Sequence, residues 1–461
     1  MPFVMDTQDS SRLHTVPRPW HRKCMATPAF RSLKSRYLSS ASLQKIVSNM
    51  GWLFLDKALH IGVGLIVGVW VARYLGPERF GLLNYAVAFS IVFSALATLS
   101  IDNILVRELV ARPQDRDALM GSAFFLKFAS AGVMFPIIVG AMRLVRGDDP
   151  ELLALVSLSS CGLILQSTQV ISCYFQSKVL SKYTVYAVNA ALFAAAVLRV
   201  LLVLLRAPVV AFGWAALAET ALRAAFLFVA YRCQNLSARQ WTLDRGLALA
   251  LLRDGWPLIL AGVATTLYLR VDQVMLGDLL NDREVGVYSV ALVISENLYF
   301  VPVAVVGTLF PAIVQSRQLG ESVYRRRIGK LYSLMAWSGI AIGTLFAFLS
   351  SWVIDLLYGA SFADSAAILR IHIWTGIPVA LNVAYHTVLA AENAQIVSFY
   401  ATVMGAVVNI VFNWFLIPAH GAAGAAIATL ISQCSVVLAA LLFRRSRQTG
   451  KAMLMSFFFR W

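Results

Sequence analysis

Nine ionisable residues lie inside stretches of sequence apolar enough to cross a bilayer: Asp56, Lys57, Lys127, Arg199, Glu219, Arg223, Arg270, Asp272 and Glu296. A charge at the centre of a membrane helix costs at least ~2.5 kcal/mol even on insertion scales, so each is a candidate for binding, coupling or pairing. The cations Arg270, Lys57, Lys127, Arg199 and Arg223 suit an anionic ligand, because Arg and Lys replace lost water with charge-assisted hydrogen bonds. The acids Asp272, Glu296, Asp56 and Glu219 are coupling or charge-pair candidates. Each residue also has a plainer reading. Glu219 and Arg223, four apart, can neutralise each other on one helix face. Asp56 lies near the start of its span, and Lys57 can snorkel from there to the interface. Lys127 and Arg199 have no opposite charge three or four residues away, so their partner must come from another helix, water or a ligand.

Arg270 and Asp272 sit two apart, turned about 200° from each other on a helix, and cannot pair directly. Thr266, Arg270 and Gln273 share one face, and Thr265, Tyr268 and Asp272 another. Arg270 and Glu296 fall at comparable depths of adjacent spans, so a contact between them is expected, whereas Asp272 could merely anchor the outer interface. His60, His372, His386 and His420 are scattered without metal-ligand spacing, and the five cysteines form no CxxC or Cys/His cluster. No zinc site, disulfide framework or cofactor site is signalled. Nucleotide, nucleophile-elbow and metalloprotease motifs are missing from any suitable context, so the chain itself is not expected to consume ATP or to be an enzyme.

These residues must be carried by membrane helices. The composition is 59% hydrophobic and 13% charged, with mean hydropathy +0.73; soluble domains average about 45–50% apolar and 25% charged. Hydropathy places twelve spans, at about 50–72, 81–101, 119–142, 152–173, 183–205, 209–230, 254–276, 286–314, 330–350, 366–390, 396–417 and 421–443. An even count puts both termini on one side. Distributed by alternate sides, the 39 Lys and Arg residues fall 27 with the termini and seven opposite, with five inside spans, which places both termini in the cytoplasm. The net charge of +16 is therefore mostly topology. Its partner is anionic membrane lipid, and nucleic acid is not expected.

The chain also reads as two copies of one unit. Gly51-Trp52 opens an apolar span as Gly255-Trp256 does, and Leu75, Gly81, Ala86 and Ser90 recur 205 residues on as Leu280, Gly286, Ala291 and Ser295. Each copy has a span, a short charged turn (GPERFG or NDREVG) and a second span entered through Gly. Six spans per copy give both the same orientation, related by an axis along the membrane normal. The expected organisation is a basic cytoplasmic tail (1–45), a six-helix lobe (46–236), a cytoplasmic linker (237–252), a second six-helix lobe (253–445) and a cytoplasmic tail (446–461). The eight Lys/Arg of the first segment also fit a start assigned at Met1 in place of Met25, or a transit peptide. No loop is long enough for an independent catalytic domain.

At "NMGWLFLDKALHIGVGLIVGVWVARYLGPERFGLLNYAVAFS" (49–90) and "LYLRVDQVMLGDLLNDREVGVYSVALVISENLY" (267–299) the chain resembles the polysaccharide-repeat-unit flippases of the multidrug/oligosaccharidyl-lipid/polysaccharide exporter superfamily. Span count, loop pattern and repeat agree over about residues 46–445. The resemblance implies an all-α polytopic membrane fold with a V-shaped cavity between two six-helix lobes. It implies alternating access that carries an undecaprenyl-pyrophosphate-linked oligosaccharide from the cytoplasmic to the periplasmic leaflet of a bacterial inner membrane. Implied partners are the lipid carrier, a polysaccharide polymerase and a chain-length regulator. Arg270 and Asp272 match positions where charge matters for transport in the family, whereas Lys57, Lys127, Arg199 and Arg223 match no family motif. The main rival is an ion-coupled multidrug or cation antiporter of the same superfamily, which needs acids as its central ligands. A membrane-embedded polymerase or ligase needs a large outer loop with paired charges.

Overall fold

The computed structural model describes residues 41–392, 394–443 and 446–458, without side-chain detail for 41–56, 58 and 311. The expected basic tail over 1–40 and the side chain of Asp56 therefore lie outside the described residues. The chain divides into residues 1–51 and residues 52–461. Of the first, only the helical course of 41–51 is described; the second holds the helix bundle.

The protein is an all-α polytopic membrane protein, with no strand among the described residues. In chain order the helices are α1 (Ala41–Val92), α2 (Ser94–Thr98), α3 (Asp102–Ala111), α4 (Arg116–Arg146), α5 (Pro150–Leu165), α6 (Val170–Ser177), α7 (Ser181–Leu204) and α8 (Val209–Arg232). There follow α9 (Arg245–Leu279), α10 (Asp282–Leu298), α11 (Phe300–Gln315), α12 (Glu321–Tyr358), α13 (Ser365–His372), α14 (Gly376–Ala391), α15 (Gln395–Leu442) and α16 (Arg447–Met455). Backbone polar groups have no water to bond in hydrocarbon, so apolar sequence of this length closes its hydrogen bonds within helices. Short polar residues start several of them: the Asp149, Asp244 and Asn281 side chains accept backbone N–H groups of the first turns of α5, α9 and α10.

Ten helical stretches are long and apolar enough to cross a membrane, against the twelve spans expected. The difference lies in α1 and α15, which each run through two of the expected spans and leave helical geometry at a single glycine, Gly76 (φ 72°, ψ 172°) and Gly421 (φ 60°, ψ −143°). At Gly421 the chain reverses. The Ser432 hydroxyl donates to the Gly405 carbonyl at 2.8 Å and Asn409 reaches Thr429 at 3.5 Å. Those positions would stand about 40 Å and 30 Å apart along a straight helix.

The two expected copies share a finer feature. The fourth span of each is interrupted by a 3₁₀ turn, at Gln166–Gln169 and at Ile373–Thr375. Such turns inside a helix re-aim side chains, and the first turn directs Gln166 and Gln169 into a cavity beside Lys57. The segment after α8 is stitched to the start of α4: the Asp244 N–H donates to the Ser122 hydroxyl at 3.0 Å, and the Thr242 N–H to the Asp117 carbonyl at 3.3 Å. Trp241 packs on Phe124, Phe228 and Tyr231.

Candidate functional site

The structure sorts eight of the nine intramembrane charges, all but Asp56, into four settings. Lys57 and Arg223 line one cavity of about 350 Å³, together with His60, Gln166, Gln169 and Thr184. It lies between the first, fourth, fifth and sixth spans. Its polar wall offers many donors: an ammonium, a guanidinium, two amides and the hydroxyls of Thr168, Ser172, Thr184 and Thr220. Behind Arg223, Glu219 bridges two cations, accepting from Arg199 at 2.7 Å and from Arg223 at 3.4 Å. The expected Glu219–Arg223 pair is thus present, but the shorter bond goes to Arg199, whose missing partner is this carboxylate on the neighbouring helix α8. Two cations against one acid leave an excess positive charge beside the cavity, and Arg223 Nε has no hydrogen-bond partner among the described residues.

Lys127 differs from the expectation that it lines a pathway. It is buried and paired with Asp102, which also accepts from the Cys173 thiol at 3.3 Å. Asp102 reads as a loop residue by hydropathy, yet it opens α3 and lays its carboxylate against α4. The ammonium is paired with that carboxylate, and of the five candidate cations only Lys57 and Arg223 line the cavity.

In the second half, Arg270 donates to Glu296 at 3.2 Å and to Gln273 at 3.4 Å. The contact expected from their matched depths is present, and both side chains remain about a quarter exposed (25% and 27%). Gln273 continues the chain of polar contacts to Ser289 at 2.8 Å. Asp272 faces away into the helix packing, as the 200° separation requires. It is 2% exposed, accepts from the Tyr288 hydroxyl and the Gln273 N–H, and lies 3.5 Å from Thr429 Oγ1. No ion pair to it exists among the described residues. Its surroundings are polar without being basic: Thr429 contacts Asn409, which accepts from Asn413 at 2.9 Å, and Asn413 Oδ1 is itself buried without a partner. Asp272 is therefore interior, where an interfacial anchor was the plainer expectation.

Several of these partners have no signal in the sequence. Tyr288 and Thr429 look like ordinary helix residues, and only the 3.6-residue period, which sets Asn409 and Asn413 on one face, points at the polar cluster. His372 is buried with Nδ1 2.7 Å from the Ser295 hydroxyl, a helix contact as its isolated position suggests. No group of three or more His, Cys, Asp or Glu able to hold a metal occurs among the described residues.

A second cavity, of about 570 Å³, opens between the seventh and eleventh spans, which correspond to the first and fifth. Trp256, Leu258, Leu260, Ile396, Phe399 and Tyr400 give it an apolar, aromatic wall. The two cavities thus differ in chemistry, one donor-rich and one oily.

Comparison with known proteins agrees with this architecture. Residues 46–317 match the family model described as polysaccharide biosynthesis protein, and residues 257–415 match the MatE model. A probable low-salt glycan biosynthesis flippase, Agl15 of Haloferax volcanii, is 26% identical over 181 residues, 38% of this chain and 37% of that protein. The match to an uncharacterised membrane protein of Methanocaldococcus jannaschii, MJ1375, covers 44% of its length, so the chain spans less than half of the curated relatives it matches. An inward-facing multidrug-resistance MATE transporter of the MOP superfamily superposes with a TM-score of 0.65 at 16% identity, over 86% of this chain and 95% of that one. The lipid II flippase MurJ in its inward closed conformation gives 0.64 at 15% identity, over 89% and 91%. With a family model covering more than half of its length, the chain belongs to the polysaccharide biosynthesis protein family.

Proposed function

We propose that this protein flips a lipid-linked oligosaccharide, with a polyprenyl pyrophosphate such as undecaprenyl pyrophosphate as carrier, from the cytoplasmic to the periplasmic leaflet of a bacterial inner membrane. The observation that carries the reading is the donor-rich cavity holding Lys57 and Arg223, backed by Arg199. A pyrophosphate entering a membrane interior gives up water that only such donors replace, while its prenyl chain can remain in lipid. Glu219 tempers the site, occupying part of both guanidinium forks and keeping binding modest enough for release. The two copies act as six-helix lobes around a V-shaped pathway, with both termini cytoplasmic as the 27-to-7 charge bias requires. Asp272 serves coupling: a carboxylate in hydrocarbon without a cation partner is stabilised by taking up a proton or a small monovalent cation. The substrate's carrier makes a polymerase and a chain-length regulator natural downstream partners.

The ion-coupled multidrug antiporter reading has one observation in its favour, the same buried Asp272. Substituting the cavity cations separates the two. With Lys57→Gln and Arg223→Gln combined, surface polysaccharide is expected to be lost at normal membrane levels of protein, with unchanged susceptibility to cationic drugs. Normal polysaccharide together with increased drug susceptibility would exchange the two readings.

A further inference from the structure

We propose that the last described stretch of the chain is a re-entrant, lipid-binding helix. The chain leaves the membrane at the end of α15, turns, and dips back into the same leaflet as α16. There Arg447 and Lys451 hold the phosphate of an anionic phospholipid, and Leu454, Met455 and Phe458 meet its acyl chains. By charge alone the segment reads as part of a cytoplasmic tail. Assigning it to the cytoplasmic leaflet rests on the orientation proposed above, whereas the fold-back itself does not.

The fold-back is fixed by contacts with two spans. After α15 the Ser446 hydroxyl donates to the Ala440 carbonyl at 2.9 Å and its N–H to the Phe443 carbonyl at 3.1 Å, closing a turn. α16 then runs back along α15, with Gly450 so near that a Cβ would lie 2.9 Å from the Ala440 carbonyl carbon and 2.9 Å from Leu441 Cδ2. A 3₁₀ turn, Ser456–Phe458, continues it. The segment also follows α12. Arg325 donates to the Gln448 side chain, and the Ser333 hydroxyl donates to the Ser456 carbonyl at 2.9 Å. Eight residues of each segment therefore travel side by side, about 12 Å at 1.5 Å per residue. α12 is long and apolar enough to cross a membrane, and Ser333 falls within the ninth span expected from hydropathy, so the far end of the segment stands at membrane depth. Met453 is fully buried in the core that Tyr332, Met335, Tyr385 and Ala440 form.

Two further features mark the deep end as dry. A helix that stops inside hydrocarbon leaves its last carbonyls without water, and each must find a donor in the protein. Here the buried Ser456 hydroxyl donates to the Met453 carbonyl at 2.5 Å, and buried Ser333 serves the Ser456 carbonyl. The outward face, meanwhile, grades from charge to oil. Arg447, Lys451, Leu454 and Phe458 recur at spacings of four, three and four, which is one side of a helix, while Gly450, Met453 and Ser456 are buried. The two cations stand at the shallow end, exposed and without an ion pair among the described residues. At the deep end Leu454, Met455 and Phe458 are 41%, 48% and 75% exposed. Three large apolar side chains bared together on one short segment are a liability in water and a favourable surface in lipid. Cations followed by oil match an anionic phospholipid taken from headgroup to chain.

The test is collisional accessibility, by electron paramagnetic resonance, of single spin labels at Arg447→Cys, Met455→Cys and Phe458→Cys. The full chain, lacking its native cysteines, is held in nanodiscs of phosphatidylcholine and phosphatidylglycerol. All three positions are exposed, so labels there disturb no packing. Labels at 455 and 458 should collide often with oxygen and rarely with nickel ethylenediaminediacetate, and the label at 447 should do the reverse. Frequent nickel collisions at 455 and 458 would make the segment a water-exposed tail. Rare collisions with both reagents would mean that a protein partner or a second copy covers it, and either result overturns the proposal. The headgroup is judged separately, in protein that keeps its cysteines, by thermal unfolding in detergent. Phosphatidylglycerol should raise the melting temperature above its value with phosphatidylcholine, and Arg447→Gln combined with Lys451→Gln should remove most of that rise. An equal rise in the double variant, or the same rise from inorganic phosphate alone, overturns the lipid site. None of these readouts requires transport, so the proposed flippase function stands or falls apart from them.

Discussion

At the scale of single residues, Arg270 and Glu296 meet because two helices joined by a short turn run antiparallel and bring equal depths together. No such rule reaches Lys127. Its partner Asp102 lies 25 residues away at the start of a short helix, and which helix end folds over which span is decided by tertiary packing. Arg146 was hidden for a similar reason: at a span's end it reads as a topological charge, and only the assembled fold brings it to Asp278 and Asp282. The pairing of Arg270 yields a first prediction. Arg270→Ala strands Glu296 and should cost about 1–2 kcal/mol, below the ~3–5 kcal/mol of a fully buried pair because a quarter of each side chain is exposed. Thermal unfolding in detergent should show the loss, and Glu296→Gln added to Arg270→Ala should recover most of it. If surface polysaccharide stays absent in the recovered double variant, Arg270 contacts substrate; if export returns with stability, its work is done through Glu296. Arg270→Lys should retain partial export, having the charge without the planar fork.

At the scale of elements, hydropathy located the apolar stretches well and their breaks poorly. Spans four and ten carry 3₁₀ turns that a window average cannot register, since Gln166–Gln169 and Ile373–Thr375 differ in polarity while sharing geometry. Gly76 and Gly421 are the opposite case. A charged turn announces the first and a Gly/Ala-rich run conceals the second, yet both chains turn on a glycine with φ and ψ closed to other residues. The second prediction follows from that. Gly421→Ala should lower stability by about 1–3 kcal/mol, the cost of forcing a side chain into such a conformation, whereas Gly68→Ala, which meets nothing within 4 Å, should change it little. Equal melting temperatures for the two variants would show that the reversal does not depend on glycine.

At the scale of the molecule, orientation was read from charge alone, and twelve crossings require the ten helical stretches to be divided at Gly76 and Gly421. The third prediction tests both. Reporter fusions after Arg146 and Asn281 should report an external location, and fusions after Gln240 and Arg447 an internal one. An external signal at Gln240 would break the six-plus-six arrangement, and an external signal at Arg447 would mean that α15 crosses without reversing. The Trp241–Asp244 segment is bonded to the start of α4, so Gln240 and the start of α4 should report the same side.

Two glycines, Gly81 and Gly286, cross at a reciprocal contact. Gly81 abuts Asp282 and Gly286 abuts Pro77, and Gly286 and Asp282 each follow their counterparts by 205 residues. Reciprocal contact of one patch with its own image is the signature of an isologous two-fold interface between identical subunits. The oily cleft and the donor-rich cleft depart from that reciprocity, so the symmetry is kept at the crossing and given up where the cavities open.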